Sequence, residues 1–373
     1  MPAPPSSSVL VVGAGIVGLT AAWQLAEQGH GVTLVDPSLG SEHNEPTGSK
    51  AALGILMARV FHRSSGRAWR LRQQSHALWT AWLAELTRRG HELPHRQGLL
   101  LLAASDDDLQ KQQRIAADRA RLGIPMQQLG PADLEPLHPE LPGRPLGALF
   151  SPEDGQLDPG PVMEALRAEA RKAGVHCVAE RALRIERHRP WRVELTSGEH
   201  LETQWLVLAL GMGTTPLLES IGLPLHLEPV LGQALELELA AKPDWQWPGA
   251  VVWQGINLVP RPDLNPNGRR LWLGATLEPG AEASPDAMDR LRHLGGDAPP
   301  WLERATVVRA WSGLRCHPQR QPAPVLEEPE PGLLVASGHY RNGVLLAPAS
   351  AAWLCERIGG RPPVRYQAGE PAP

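Results

Sequence analysis

Apolar positions change their period along this chain, and each change marks an element. Val9, Leu10, Val11 and Val12 form a continuous apolar run, which predicts a short strand buried on both faces. Glycines follow at 13, 15 and 18, then an amphipathic helical segment, then a second strand over 32–35 that ends on Asp36. Across 68–89, Leu71, Ser75, Leu78, Trp82 and Leu86 recur at helical intervals, and a further helix is expected over 106–122. Prolines every few residues between 123 and 149 favour loop and short strands. The helix expected over 161–173 opens on a proline and stops at Gly174. Strand patterns follow over 175–178, 182–186, 191–196 and 201–210, the last containing an unbroken apolar run from Trp205. Runs at 231–239, 251–260 and 271–276, with proline and asparagine turns between the last two, predict an antiparallel sheet. A buried strand over 333–338 ends in glycine, and the proline-rich last dozen residues predict a mobile tail.

This order predicts an α/β chain whose parallel, Rossmann-type sheet is discontinuous in sequence and is interrupted by a substrate domain with a large antiparallel sheet. The expected division is 1–85, 145–225 and 316–373 for the first domain, and 86–144 with 226–315 for the second. A ligand held by the first domain then lies where the second closes over it. The ligand class is readable in Gly13-Ala14-Gly15-Ile16-Val17-Gly18. Gly13 permits the tight turn, Gly15 lets the backbone approach a pyrophosphate, and Gly18 allows close packing of helix on strand. The N–H groups at the helix start favour phosphate charge, and Asp36 is placed to accept a ribose hydroxyl. A dinucleotide is therefore expected. FAD and NAD stay open at this point, while an acid at the ribose disfavours NADP. Small residues over 49–56 either let a flat ring lie against backbone or begin an ordinary helix.

Composition removes several other classes. The chain has 373 residues, enough for two domains, and a formal charge of −4 with arginines scattered among acids, so neither nucleic acid nor a membrane surface is indicated. No apolar run reaches bilayer-spanning length, and the N-terminal residues lack the basic region of a secretory signal. Three distant cysteines, Cys177, Cys316 and Cys355, suit a reducing cytoplasm, and no histidine pair stands at ligand spacing, so no metal is expected.

Two later segments narrow the reading: Gly338-His339-Tyr340-Arg341-Asn342-Gly343-Val344-Leu345-Leu346-Ala347-Pro348 and, upstream, Trp311-Ser312-Gly313-Leu314-Arg315. With the glycine fingerprint, they resemble the FAD-dependent D-amino-acid oxidase family, which includes sarcosine oxidase and, most similar, glycine oxidase of thiamine biosynthesis. Further matches are 51–55, Gly155-Gln156-Leu157-Asp158-Pro159 and Gly274-Ala275-Thr276. The resemblance implies a glutathione-reductase-type FAD domain. It places Gly13, Gly15, Ile16, Val17 and Gly18 under the pyrophosphate, Asp36 and Pro37 at the adenosine ribose, and Ala182 at the adenine side. Leu53, Gly54 and Ile55 would approach the isoalloxazine, with His339, Tyr340, Arg341, Asn342, Gly343, Val344 and Leu345 around it. Arg315 and Arg341 match the two arginines that hold the substrate carboxylate. An arginine fork suits that task, because it offers two parallel N–H donors to a carboxylate. The alternative for Arg341 is pairing with a buried acid.

The implied activity is oxidative deamination of glycine or another small amino acid or amine, by hydride transfer to the flavin. No protein acid or base is needed, and O2 would reoxidise the cofactor to give H2O2. The resemblance leaves a homo-oligomer open. Asn257 stands where glycine oxidases have a tyrosine before I-V-P-R, which bears on the choice of substrate. Cys316 is near the flavin attachment point of sarcosine oxidases, but the motif sets Gly313 there, so non-covalent FAD is expected. Rival readings are a D-amino-acid dehydrogenase that reduces a quinone, an NAD-linked dehydrogenase, and an FAD-binding protein without amine oxidase activity.

Overall fold

A computed structural model describes residues 7–40 and 48–360; the expected C-terminal tail falls outside these. Six strands build the first sheet, in the spatial order Val325–Glu330, Leu333–Ser337, Trp205–Leu208, Ser8–Val12, Gly31–Val35 and His176–Val178. All neighbours are parallel except the first pair. Pieces from the start, middle and end of the chain therefore meet in one sheet, as the alternation of elements required.

Alternation along Ser8–Val12 explains why this sheet has two different coverings. Val9 and Val11 face a core built with helices Ile16–Glu27, Gly66–Arg88, Pro159–Lys172 and Gly343–Gly359. Leu10 and Val12 face Ala182, Ile185, Trp191 and Val193 of a three-stranded antiparallel sheet. A strand buried on both faces reads as an unbroken apolar run for this reason.

Helix Gly343–Gly359 contains Pro348, which has no N–H for the carbonyl of Val344. Trp79 Nε1 donates to that carbonyl at 2.9 Å, and Ser75 Oγ accepts from the Ala349 N–H at 3.0 Å. One face of helix Gly66–Arg88 thus satisfies the groups that the proline frees.

The second large sheet has ten strands. Its path runs Ile55–Leu56, Gly147–Leu157, His95–Ala103, Ala250–Trp253, Ile256–Pro260, Arg270–Gly274, Leu227–Glu238 and Glu278–Pro279. Thr306–Pro318 pairs with Leu227–Glu238, and Gln127–Leu129 with Gly147–Leu157. Two expected strands are divided. The run 201–210 is His200–Thr203 in the small sheet and Trp205–Leu208 in the parallel sheet, with Gln204 at the crossing. The run 251–260 is a hairpin whose Gln254 and Gly255 both have positive φ, +46° and +82°, as a two-residue turn of this hand needs. Among the described residues, no helix is long and apolar enough to cross a membrane.

Candidate dinucleotide and carboxylate site

The carboxyl ends of the parallel strands converge on the glycine turn. Gly13 has φ +108°, and a Cβ there would lie 2.6 Å from the Ala209 carbonyl oxygen, while one on Gly18 would lie 1.8 Å from the Gly13 oxygen. These two glycines are required by packing. At Gly15, an added Cβ meets only Ser49 Oγ, at 3.1 Å, so its face is open except for one hydroxyl. The same Ser49 Oγ accepts from the Ile16 N–H at 3.1 Å, a contact the sequence did not suggest. No acidic residue stands in the first turn of Ile16–Glu27. The cradle is therefore shaped and polarised for the phosphates of a dinucleotide.

Asp36 closes the adjoining strand. Its Oδ2 accepts from the Ala14 N–H at 2.8 Å and its Oδ1 from the Ser38 N–H at 2.7 Å, with Pro37 opening the short turn Pro37–Leu39. Each oxygen keeps a lone pair for a ribose hydroxyl. Ala182 shares a core with Val35, beside this acid.

On the other side, 48–51 form a turn and lead into Leu53, Gly54 and Ile55, so the small residues do not begin a helix. Gly54 has φ +72°, and a Cβ would lie 1.7 Å from the Leu157 carbonyl oxygen, which forces backbone against backbone. Leu53 is buried with Ala234, Val259 and Trp272 in an apolar patch on the antiparallel sheet. Arg261, fully buried, stacks on Trp272 at 3.8 Å and pairs with Asp158 at 2.5 Å and Asp263 at 2.7 Å.

The C-terminal motif completes the site. Strand Leu333–Ser337 ends at Gly338, then the turn Tyr340–Asn342 leads into the uncapped helix Gly343–Gly359. Ser337 Oγ accepts from Thr214 Oγ1 and donates to the Gly211 carbonyl, both at 3.1 Å, which ties this strand end to its neighbour. His339 Nε2 lies 2.7 Å from Ser350 Oγ, whose proton goes to the Leu346 carbonyl at 2.9 Å. His339 is therefore the donor of that pair, a neutral imidazole. Burial, with Arg67 nearby, lowers its pKa to about 4.

Arg315 is the chemically distinctive residue. Its Nη1 donates to the Leu231 carbonyl at 3.0 Å, and no acid pairs with it among the described residues. Burial and then the charge of Arg341 lower its pKa. The two cations repel each other here, and Glu278 offsets part of that charge without forming an ion pair with Arg315 among the described residues. Gly232 makes the space: a Cβ there would lie 2.3–2.4 Å from the Arg315 guanidinium. Arg341 is exposed in its turn and pairs with no buried acid among the described residues, which counts against the alternative reading for it. Cys316, next in the strand, has its thiol pushed up to about 11 by burial, so it is protonated and unreactive at neutral pH.

Asn257 stands apart from the arginines. Its Nδ2 donates to the Gly274 carbonyl at 3.0 Å, and three strand spacings, about 14 Å, separate its strand from that of Arg315. It borders the apolar patch instead, since a Cβ on Gly274 would lie 3.1 Å from Leu53 Cδ1. Among the described residues, no group of histidines, cysteines and acids could hold a metal.

A family model described as FAD dependent oxidoreductase matches residues 8–357. The chain belongs to this family. The FAD-dependent oxidoreductase is 31% identical to glycine oxidase of Geobacillus kaustophilus over 359 residues, which are 94% of this chain and 92% of that protein. The crystal structure of glycine oxidase from Geobacillus kaustophilus superposes with a TM-score of 0.83 at 28% identity, covering 97% of both chains. A D-amino acid dehydrogenase of Rhizobium johnstonii is 27% identical over 62% of this chain and 68% of its own length. FAD is thus the cofactor of this oxidoreductase, and the open Gly15 face, the backbone platform at Gly54 and the uncapped helix at Gly343 are compatible with it.

Proposed function

We propose that this FAD-dependent oxidoreductase oxidises glycine or another small amino acid or amine, with O2 as acceptor and H2O2 as product. The observation that carries the reading is the half-buried Arg315 guanidinium, repelled by Arg341 and in an ion pair with no carboxylate among the described residues, Glu278 offsetting its charge only in part. Such an arrangement suits a carboxylate brought by substrate. When bound, FAD would supply the acceptor for the hydride on the substrate carbon next to nitrogen. The protein's contribution is orientation: Arg315 and Arg341 fix the carboxylate end, and Leu53, Ala234 and Trp272 form an apolar wall that excludes water. No side chain is assigned as acid or base. The imine so formed takes up water to release an oxoacid and ammonia, an oxoacid and methylamine where the substrate is N-methylglycine, or an aldehyde and ammonia where it is a simple primary amine. In this reading, Gly13, Gly15, Ile16, Val17 and Gly18 hold the pyrophosphate, Asp36 and Pro37 the ribose, and Ala182 the adenine side. Residues 53–55 and 339–345 hold the ring system. Among the described residues, segments 7–40, 48–85, 145–225 and 316–360 make up the FAD domain in this reading, although Ile55–Leu56 and Gly147–Leu157 are strands of the ten-stranded sheet.

The relative named D-amino acid dehydrogenase favours a second acceptor, a quinone. One experiment tests both points. The purified yellow protein is mixed anaerobically with glycine, N-methylglycine, D-alanine, L-alanine and a simple amine, and the flavin absorbance is followed, after which air is admitted. Bleaching by a small amino acid and peroxide on reoxidation support the reading. Bleaching without peroxide removes O2 as acceptor, reoxidation by an added quinone then assigns a quinone, and a flavin that no amine reduces overturns the activity.

A further inference from the structure

Arg72 lies on the face of helix Gly66–Arg88 that also carries Ser75 and Trp79, and it is 8% exposed. Its Nη2 donates to Asn342 Oδ1 at 3.1 Å, and its Nη1 reaches the Ala68 carbonyl at 3.4 Å. The guanidinium stacks on the Phe61 ring at 3.9 Å, and its Nε is buried with no hydrogen-bond partner among the described residues. No carboxylate there neutralises it, and burial alone accounts for its lowered pKa. Unlike Arg261, with its two aspartates, Arg72 is a buried cation without a counter-ion.

Its bond to Asn342 has a consequence for the helix that begins at Gly343. Asparagine is among the best N-cap residues, because its side-chain oxygen can accept from the second or third N–H of the helix. Asn342 holds the N-cap position of Gly343–Gly359 yet makes no such bond, and its oxygen accepts from Arg72 instead. No acidic residue stands in the first turn either. The N–H groups at the start of this seventeen-residue helix are therefore kept available, with a second positive charge behind them.

We propose that Arg72 is a positioning residue for FAD. It draws away the Asn342 cap so that the first-turn N–H groups of Gly343, Val344 and Leu345 can bond the cofactor's ring system, and its uncompensated charge favours the cofactor's reduced, more negative form. The proposal rests on the placement of the ring at 339–345. It does not depend on which amine is the substrate, so the test uses chemical reductant and remains decisive if no amino acid reduces the flavin.

Three quantities are measured for wild type, Arg72→Met and the double variant Arg72→Met with Asn342→Ala: FAD affinity of the apoprotein, thermal midpoint of the apoprotein, and midpoint potential of the holoprotein. In Arg72→Met, Asn342 is free to cap its helix. FAD affinity should fall at least tenfold while the apoprotein's thermal midpoint holds or rises. The reduction equilibrium should become about tenfold less favourable, about 30 mV for a two-electron couple. In the double variant no cap competes, so FAD affinity should recover while the potential stays low. Affinity and potential of Arg72→Met both within threefold of wild type overturn the proposal, and so does affinity that falls together with the thermal midpoint, which marks a merely structural residue. If Arg72→Met does not fold, Arg72→Lys decides. Keeping the charge, it should hold the reduction equilibrium within threefold, and a folded Lys variant that shifts it tenfold overturns the electrostatic role.

Discussion

Gly232→Ala is the substitution that best isolates the carboxylate site from the fold. Gly232 sits in strand Leu227–Glu238 opposite Gly313, and its backbone is not in the left-handed region, so alanine can take the same conformation. The new Cβ would lie 2.3 Å from Nη2 and 2.4 Å from Cζ and Nη1 of Arg315. Ordinary contact needs more than 3.4 Å, so the tip of this flexible side chain must move by about 1 Å or more. Such a misplacement of a substrate-positioning group costs on the order of 100-fold in rate, or nearly 3 kcal/mol. Deleting the fork altogether, as in Arg315→Ala, removes a buried charge-assisted pair, typically 2 to 5 kcal/mol, or roughly 30- to several thousand-fold. Fold stability should move the other way. Alanine in a strand recovers about 0.5–1 kcal/mol of backbone entropy relative to glycine, and the crowding falls on a movable guanidinium. The assay pairs kcat/KM for the best amino acid with the flavin spectral change caused by a small carboxylate inhibitor, and a urea unfolding curve serves as the control. A Gly232→Ala protein of normal stability should show weak turnover and a weakened carboxylate response. Wild-type kcat/KM with an intact carboxylate response would refute the assignment of Arg315 to the substrate.

Two further outcomes follow from the same geometry. His339 holds a folded pKa of about 4 against an ordinary 6.5, so unfolding takes up a proton between these values and acid favours the unfolded chain. Stability should be complete above pH 6.5 and fall by up to about 3 kcal/mol as pH drops toward 4, a slope that urea titration of His339→Gln should find diminished. Asn257 is committed to the Gly274 carbonyl, so Asn257→Ala should leave kcat/KM for glycine within about threefold, whereas Asn257→Tyr, whose ring reaches farther over the Leu53 patch, should shift preference from D-alanine toward glycine. A substrate panel for both variants checks this, and equal profiles would place position 257 outside the pocket.

What could be read from the chain was what neighbours in sequence decide. The strand Ser8–Val12, the glycine turn and Asp36 all lie within thirty residues, and their apolar period, φ requirements and terminal acid each point to one arrangement. Three long strands of the antiparallel sheet escaped for different reasons. Gly147–Leu157 contains Ser151-Pro152-Glu153-Asp154-Gly155, which reads as a turn; in the fold, Asp154 is buried and accepts from the N–H groups of Ala58, Arg59 and Val60 at 2.7–2.9 Å. His95–Ala103 is broken by Gly98 at φ +90°, where the pairing register shifts. Thr306–Pro318 has an exposed first half and carries Arg315 in its second, so its side chains do not alternate between core and water. Arg72 was legible in principle, since an arginine three residues before Ser75 and seven before Trp79 falls on the buried stripe. Gly232 was not, because only the fold brings a guanidinium against it.

The buried arginines separate by how their charge is met. Arg261 has two aspartates, and Arg119 spends its N–H groups on the carbonyls of Arg59, Phe61 and Arg63. Neither Arg72 nor the half-buried Arg315 has an ion-pair partner among the described residues, Glu278 acting on Arg315 only in part, and both border the segment 338–345: one bonds Asn342 and the other is repelled by Arg341. A buried cation without a partner costs stability, and an anionic ligand can supply the missing negative charge. FAD and a substrate carboxylate are anionic, and the acid-free first turns of Ile16–Glu27 and Gly343–Gly359 point the same way. The apoprotein should therefore gain unusually from its ligands. By mass action, FAD at 100 times its dissociation constant adds about 2.7 kcal/mol, and a carboxylate inhibitor at Arg315 adds its own increment only once the flavin is in place to complete the pocket.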